Sequence, residues 1–316
     1  MTAKILRIAT RQSKLALWQA NFVKQQLLQL YPDLCIELVG ITTQGDKIQD
    51  KTLADIGGKG LFIKALEEAL LHEQADIAVH SMKDVLPELP ERLKIAAILK
   101  RDDPRDVFVS NRYQHITELP PDAIVGTCSV RRQAQLLAYQ PRLQIAALRG
   151  NVDTRLKKLD AAQFDAIVLA AAGLVRLQLK ERINEFLSTE FMLPSVGQGA
   201  IGVEILQDNT RVAALLAPLA DRETMLCVNA ERHLVKALHG NCHSPIGAYA
   251  TIENETLNLQ GLVASIDGQQ VIKAEAKGSV EFASDVAIDC MQQLVSQGAE
   301  RILSTSTIDI LNSSRK

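Results

Sequence analysis

Two short stretches, "ATRQS" (9–13) and "GTCSVRR" (126–132), occupy matching places in two runs of alternating strand-like and helix-like sequence. Such alternation buries apolar strands between amphipathic helices, so it predicts α/β units around largely parallel sheets. The first run holds the strands "KILRIAT" (4–10), "CIELVGIT" (35–42), "DIAVHSM" (76–82) and "LKIAAIL" (93–99). Its first helix starts after an N-cap at Ser13 and carries Leu17, Trp18, Phe22 and Leu28 toward a core, and another spans about 61–72. A crossover through "DDPRD" (102–106) leads into the second run, with strands at 123–127, 143–148 and 166–170 separated by helices at "RRQAQLLAY" and "VDTRLKKLD". From about residue 220 the pattern changes. A long amphipathic helix precedes three strand-like runs and a closing helix from about 284, which predicts an α+β unit with a three-stranded antiparallel sheet.

The length of 316 residues accommodates two or three such units. A net charge of −2 argues against a partner bound through bulk basicity, so no nucleic acid is expected. The N-terminus has no uninterrupted apolar stretch and no segment is long and apolar enough for a membrane span, so a cytoplasmic globular protein is expected, without a membrane partner. Five cysteines without close pairing fit a reducing compartment. Cys35, Cys227 and Cys290 fall on strand or helix patterns and are expected in cores.

Each of the two matching turns places Thr, Ser and Arg where a strand's carboxyl end meets a helix N-terminus. Unpaired backbone N–H groups and the helix dipole attract anions there, and arginine adds two-pronged recognition of carboxylate. One such turn is more simply an N-cap with a solvated arginine; two alike favour function. Arg131, Arg132, Arg149, Arg155 and Arg176 also cluster near turns of the second run, where ligands of open α/β sheets bind. A polyanionic ligand is expected, held by arginines exposed in a cleft and carrying little packing. "VHSMKDV" (79–85) ends another strand with Lys83 and Asp84, either a plain surface pair or an acid/base carboxylate beside a cation. His80 is expected to pack within the sheet. The polar, glycine-rich segment 43–60 reads as a long functional loop.

"LHGNCHSPIGAYA" (238–250) raises the sharpest question. Zinc held by His239, Cys242 and His243 lacks a second ligand pair, and adjacent cysteine and histidine rarely align as nucleophile and base. Composition and spacing leave these beside a plain loop cysteine.

The same segments, in order, resemble the porphobilinogen deaminase (hydroxymethylbilane synthase) family: "RIATRQSKLALWQA", "VHSMKD", "RDDPRD", "VGTCSVRRQAQL", "LRGNVDTRLKKLD", "AIVLAAAGLVRL", "LPSVGQGAIGVE" and "AERHLVKALHGNCHSPIGAYA". The resemblance covers nearly the whole chain. It implies two α/β lobes like those of periplasmic binding proteins plus a small C-terminal α+β domain: 1–99 with 200–217, 100–199, and 218–316. It implies a transferase that condenses four porphobilinogen molecules onto a covalent dipyrromethane primer with loss of ammonia, then releases hydroxymethylbilane by hydrolysis. In that family the loop cysteine carries the dipyrromethane cofactor through a thioether, which answers the question for Cys242.

The resemblance places Asp84 as the catalytic carboxylate and Lys83, Asp84, Ser129, Arg131 and Arg132 around the cofactor. Arg11, Ser13, Arg149, Arg155 and Arg176 fall on substrate-binding positions, and Lys59 and Phe62 end the loop over the cleft. The acetate and propionate that each porphobilinogen brings make such a lining physically necessary. The family is monomeric, so a monomer is expected, with porphobilinogen and the growing pyrrole chain as partners. The contrasting function is a two-lobed module that captures an anion without chemistry. Departures from the family pattern are Cys128 where serine is common, Asn241 and Ser244 beside the cysteine, and a proline moved one place in "KDVLPELP"; none removes a charged group.

Overall fold

In a computed structural model of the chain, residues 5–43, 63–241 and 244–305 are described. Three sheets organise these residues. In the first lobe, β1 (Leu6–Arg11), β2 (Ile36–Ile41) and β3 (Ile77–Ser81) run parallel, joined by α1 (Lys14–Leu30) and by α2 (Lys64–Leu71), which precedes β3. With β4 (Leu93–Ile98) and β10 (Ile201–Leu206), the sheet order is β2-β1-β3-β10-β4.

The second lobe comprises β5 (Asp106–Val109), β6 (Ile124–Gly126), α3 (Val130–Tyr139), β7 (Gln144–Ala146), α4 (Val152–Asp160), β8 (Ala166–Ala170), α5 (Ala171–Arg176) and β9 (Glu185–Phe186). Its order, β7-β6-β8-β5-β9, repeats the first.

The sheets are largely parallel, as expected, with one reversed strand in each lobe. β10 runs antiparallel to β3 and β4, and β5 runs antiparallel to β8 and β9. Both follow segments that cross between the lobes. A chain entering a sheet from the end where its parallel strands finish must run against them. That is why residues 102–106, read as a crossover, include the start of β5.

Apolar clusters cover both faces of each lobe's sheet, as sheets sandwiched by helices require. The stripe of α1 is rotated from the expected one: Ala20, Val23 and Leu27 are fully buried, Trp18 and Phe22 stack at 5.2 Å along its margin, and Leu17 and Leu28 are only half-buried. The expected stripe followed the large side chains, and the small Ala20 on the buried face carried no such signal.

After α6 (Thr210–Leu216), the C-terminal unit holds α7 (Arg222–Ala237), strands β11 (Ile246–Glu253), β12 (Thr256–Ala264) and β13 (Val271–Ser279), and α8 (Ala283–Ser296). The three strands form the expected antiparallel sheet. Asn254 and Glu255 turn the first hairpin, both at positive φ (49° and 57°), as a two-residue turn matched to strand twist requires. Both helices pack on this sheet around Leu234, Leu259, Cys290 and Leu294. Cys227 and Cys290 are buried and burial pushes both thiols up to about 12, but Cys35 is exposed, against expectation, just before β2 begins.

Two chain crossings, near 99–106 and 194–200, link the lobes. Arg176 Nη2 donates to Gly199 O (2.6 Å), and the backbone N–H of Asp102 donates to Gly199 O (3.2 Å). Gly199 has φ +90° and a Cβ there would lie 2.5 Å from Asp102 O, so only glycine lets the crossings touch. Buried Glu231 of α7 accepts from Arg101 of one crossing and from Gly197 N (2.7 Å) of the other, and from Ala250 N (2.9 Å) of β11. The C-terminal unit is thereby pinned to the crossings. No helix among the described residues is long and apolar enough to cross a membrane.

Candidate active site

The carboxyl ends of β1, β3, β6 and β8 all finish where the crossings run, so their loops gather on one cleft. β3 leads into a single 3-10 turn, Met82–Asp84. Met82 anchors it: it is 1% exposed, its N–H donates to Ala200 O (3.0 Å), and a Cβ at Gly197 would lie 2.7 Å from its own Cβ. With Met82 locked downward, the next two residues, Lys83 and Asp84, are presented to the cleft. Asp84 is exposed and Lys83 half-buried. Burial lowers the Lys83 ammonium to about 8, helped by Arg132 and Arg155 and opposed by Asp84 and Asp106.

Across the cleft, β6 runs into α3 through the second predicted turn. Ser129 caps α3, its hydroxyl accepting from Arg132 N (3.4 Å), as Ser13 caps α1 by accepting from Ala16 N (3.4 Å). Both expected N-caps are present, and the exposed thiol of Cys128 lies beside one of them. Arg155, in the first turn of α4, donates from Nε to Gly150 O (2.8 Å). Burial lowers its guanidinium to about 10; Arg132 and Arg149 push the same way, and Cys128 and Asp84 oppose them. Lys83 and Asp84 of the first lobe and Arg132, Arg149 and Arg155 of the second therefore share one electrostatic neighbourhood. A further link between lobes joins Lys14 Nζ to Asp153 Oδ2 at 2.9 Å. Arg11 ends β1 and is half-buried.

Three arginines expected to be exposed are not. Arg131 and Arg132, 4% and 6% exposed, converge on fully buried Asp106. Arg131 Nη2 donates to Asp106 Oδ2 at 2.7 Å, and Arg132 donates to Oδ1 from Nη2 at 2.7 Å and from Nε at 3.1 Å. Gln198 Nε2 adds a donor to the same oxygen at 2.9 Å. Burial opposes ionisation of Asp106, but the two guanidiniums and these hydrogen bonds override it and hold the carboxyl well below the usual carboxylate range. Arg176, 6% exposed, pairs with Asp102 (2.8 Å) and sits over the Trp18 ring at 5.7 Å. The expectation fails because it had no partner for these charges. The acids sit in the crossing "DDPRD", and no spacing rule connects them to arginines at 131, 132 and 176.

A pocket opens beneath the Lys83–Asp84 turn, bounded by Ser129, Arg131, the 195–196 crossing, and Arg232 and Val235 of α7. Asn241 and Ser244, the residues flanking positions 242 and 243, line the same pocket. Arg131 lines this pocket, and its Nε is buried without a hydrogen-bond partner. A ligand bearing carboxylates fits that orphaned donor and the surrounding cations. Cys242 and His243 lie outside the described residues, as do Lys59, Phe62 and all but the first residue of the predicted loop 43–60. His80 packs in the sheet as expected, with Nε2 2.9 Å from Oε2 of buried Glu204.

Sequence reasoning passed over Asp106, Gln198 and Arg232. Arg232 falls mid-helix, where an arginine ordinarily faces solvent, and nothing in its sequence neighbourhood signals its burial.

A family model described as "Porphobilinogen deaminase, dipyromethane cofactor binding domain" matches residues 6–214, and one described as "Porphobilinogen deaminase, C-terminal domain" matches 225–296. A curated relative, porphobilinogen deaminase of Chromobacterium violaceum, is 53% identical over 296 residues, 94% of this chain and 96% of that one. Among solved structures, the methionine-binding protein MetQ (13% identity, 72% of this chain and 96% of that one, TM-score 0.46) is similar. So is a putative methionine-binding lipoprotein of Bacillus subtilis (13% identity, 70% and 92%, TM-score 0.44).

Proposed function

This chain belongs to the porphobilinogen deaminase family, and we propose that the pocket between the Lys83–Asp84 turn, the α3 N-terminus and the cysteine loop is where it works. The chain is an enzyme, a transferase of the hydroxymethylbilane synthase class, using a dipyrromethane cofactor. It adds four porphobilinogen molecules stepwise, with loss of ammonia, and then releases the linear tetrapyrrole by hydrolysis.

When bound, the cofactor supplies the primer from which the chain grows. Cys242 attaches it through a thioether, and the pocket position of Asn241 and Ser244 supports that role. Lys83, Ser129, Arg131 and Arg132 would hold its carboxylates, Arg132 only by sharing the guanidinium it commits to Asp106 and Val168 O; the Nε of Arg131 has no partner within the protein. Asp84 lines the pocket, where its carboxylate would stabilise positive charge developing on a pyrrole nitrogen and could move protons. Its exposure leaves that carboxylate free to meet a ring. Arg11, Ser13, Arg149, Arg155 and Arg176 would receive the acetate and propionate groups of incoming porphobilinogen, with Lys59 and Phe62 as further candidates for ligand contact. Arg176 meets substrate only by sharing its guanidinium with Asp102 and Gly199.

The division into 1–99 with 200–217, 100–199 and 218–316 is proposed with this function, supported by the two crossings and the three sheets. A cytoplasmic monomer without nucleic-acid partners completes the reading.

The observation that carries it is the meeting of Asp84, Arg131 and the residues flanking Cys242 on one pocket. The test is intact mass under denaturing conditions, on wild type beside Cys242→Ser. Extra mass equal to two porphobilinogen units less two ammonia molecules, absent from the variant, is expected. The same extra mass on the variant overturns the attachment site.

A further inference from the structure

Position 232 joins the C-terminal unit to the turn that carries Asp84. Arg232 is 9% exposed, and its guanidinium is spent on three consecutive backbone carbonyls: Nη1 donates to Val85 O (3.1 Å), and Nη2 donates to Leu86 O (2.7 Å) and Pro87 O (3.2 Å). The stretch after Asp84 is neither helix nor strand, and Pro87 has no N–H, so it cannot pin itself through a backbone ladder. A planar guanidinium with several fixed donors can hold three carbonyls in one geometry, which a lysine ammonium cannot. Burial lowers the group to about 10, which leaves it charged at neutral pH.

The other end of this link is rigid. Adjacent Glu231 is locked to both crossings and to β11, and α7 runs on to Val235, whose carbonyl receives Gly240 N–H (2.9 Å) at the start of the cysteine loop. Gly240 packs closely on β11: a Cβ there would lie 2.5 Å from Ile246 Cδ1. One helix therefore sets the separation between residues 85–87 and the loop bearing Cys242, and Arg232, Asp84 and Asn241 line the same pocket.

We propose that Arg232 is a positioning residue for catalysis: by holding the carbonyls of residues 85–87 it fixes Asp84 in register with the cysteine loop across the domain boundary. This rests on the proposed role of Asp84, and the experiment separates the two. Arg232→Gln and Arg232→Lys are made in wild type and in Asp84→Glu, which displaces the carboxylate by one methylene. Holoenzyme is isolated and its cofactor content checked with Ehrlich's reagent before kinetics with porphobilinogen.

Arg232→Gln is expected to lower kcat at least about tenfold while KM changes less than about threefold, because the loss lies in the transition state rather than in binding. Arg232→Lys recovers part of kcat. In the Asp84→Glu background the same Arg232→Gln change costs less than about threefold further, since residues acting through one another are not additive. Three results each overturn the proposal: kcat within about twofold of wild type, a loss that multiplies with that of Asp84→Glu, or loss accounted for by missing cofactor. Wild-type kinetics in Asp84→Glu and Asp84→Ala would instead sink the role of Asp84 itself.

Discussion

Replacing Asp106 by asparagine keeps the shape of the side chain and removes its charge. In the native protein the carboxylate is fully buried and accepts from Arg131, Arg132 and Gln198 at 2.7–3.1 Å. The variant leaves two guanidiniums buried without a counter-ion and turns an amide N–H₂ toward donors. Charge-assisted hydrogen bonds contribute about 1.5–3 kcal/mol each, but the retained amide oxygen and local relaxation recover part of the loss. Removing one partner from a buried ion pair costs about 3–5 kcal/mol, and that range is the expectation here. Urea unfolding of wild type and Asp106→Asn at pH 7, at fixed ionic strength, measures it.

Acid supplies a second handle on the same group. The folded pKa of Asp106 lies below its unfolded value near 3.8. Its contribution to stability is therefore complete above that unfolded value and is lost as pH falls toward the lower folded one. The gap between wild type and Asp106→Asn should stay constant from pH 7 to about 5 and then shrink by up to about 1.4 kcal/mol per pH unit below about 4. A difference under about 1 kcal/mol at pH 7, or a gap insensitive to acid, would refute the argument that buried charge pairing holds the second lobe to the crossings.

Lys83, lowered to about 8, loses its charge as pH rises through that value. The rate at which apo-protein takes up porphobilinogen should therefore fall above about pH 8, and Lys83→Arg should flatten that limb of the pH profile. Asp84→Ala should lower turnover by about 100-fold or more with an unchanged circular dichroism spectrum, because Asp84 is exposed and its loss removes acid–base help rather than packing. Wild-type-like kinetics would remove it from the mechanism. Gly199→Ala should destabilise by more than about 1 kcal/mol in thermal unfolding, since alanine is strained at φ +90° and its Cβ meets Asp102 O.

The alternation of strand and helix was legible because periodicity is local: β1, α1, β3, α3, β6 and β8 fall where the apolar spacing puts them. Ser13 and Ser129 were legible as caps for the same reason, since a cap and the N–H it accepts from lie three residues apart. The family was legible in motifs that run the length of the chain.

What sequence could not supply is the partner of each charge. Arg131, Arg132 and Arg176 read as free cleft cations, yet Asp106 and Asp102 meet them only because the first crossing runs past the carboxyl ends of the strands. The direction of β5 and β10, the burial of Glu231, and the grip of Arg232 on residues 85–87, nearly 150 positions away, also arise from where the chain returns. Hydrophobic period and capping are set within a turn or two of helix and survive in any arrangement of the elements. An ion pair in the interior exists only when two distant segments arrive together, so the tertiary structure alone determines which charges are spent on the fold and which are left for a ligand.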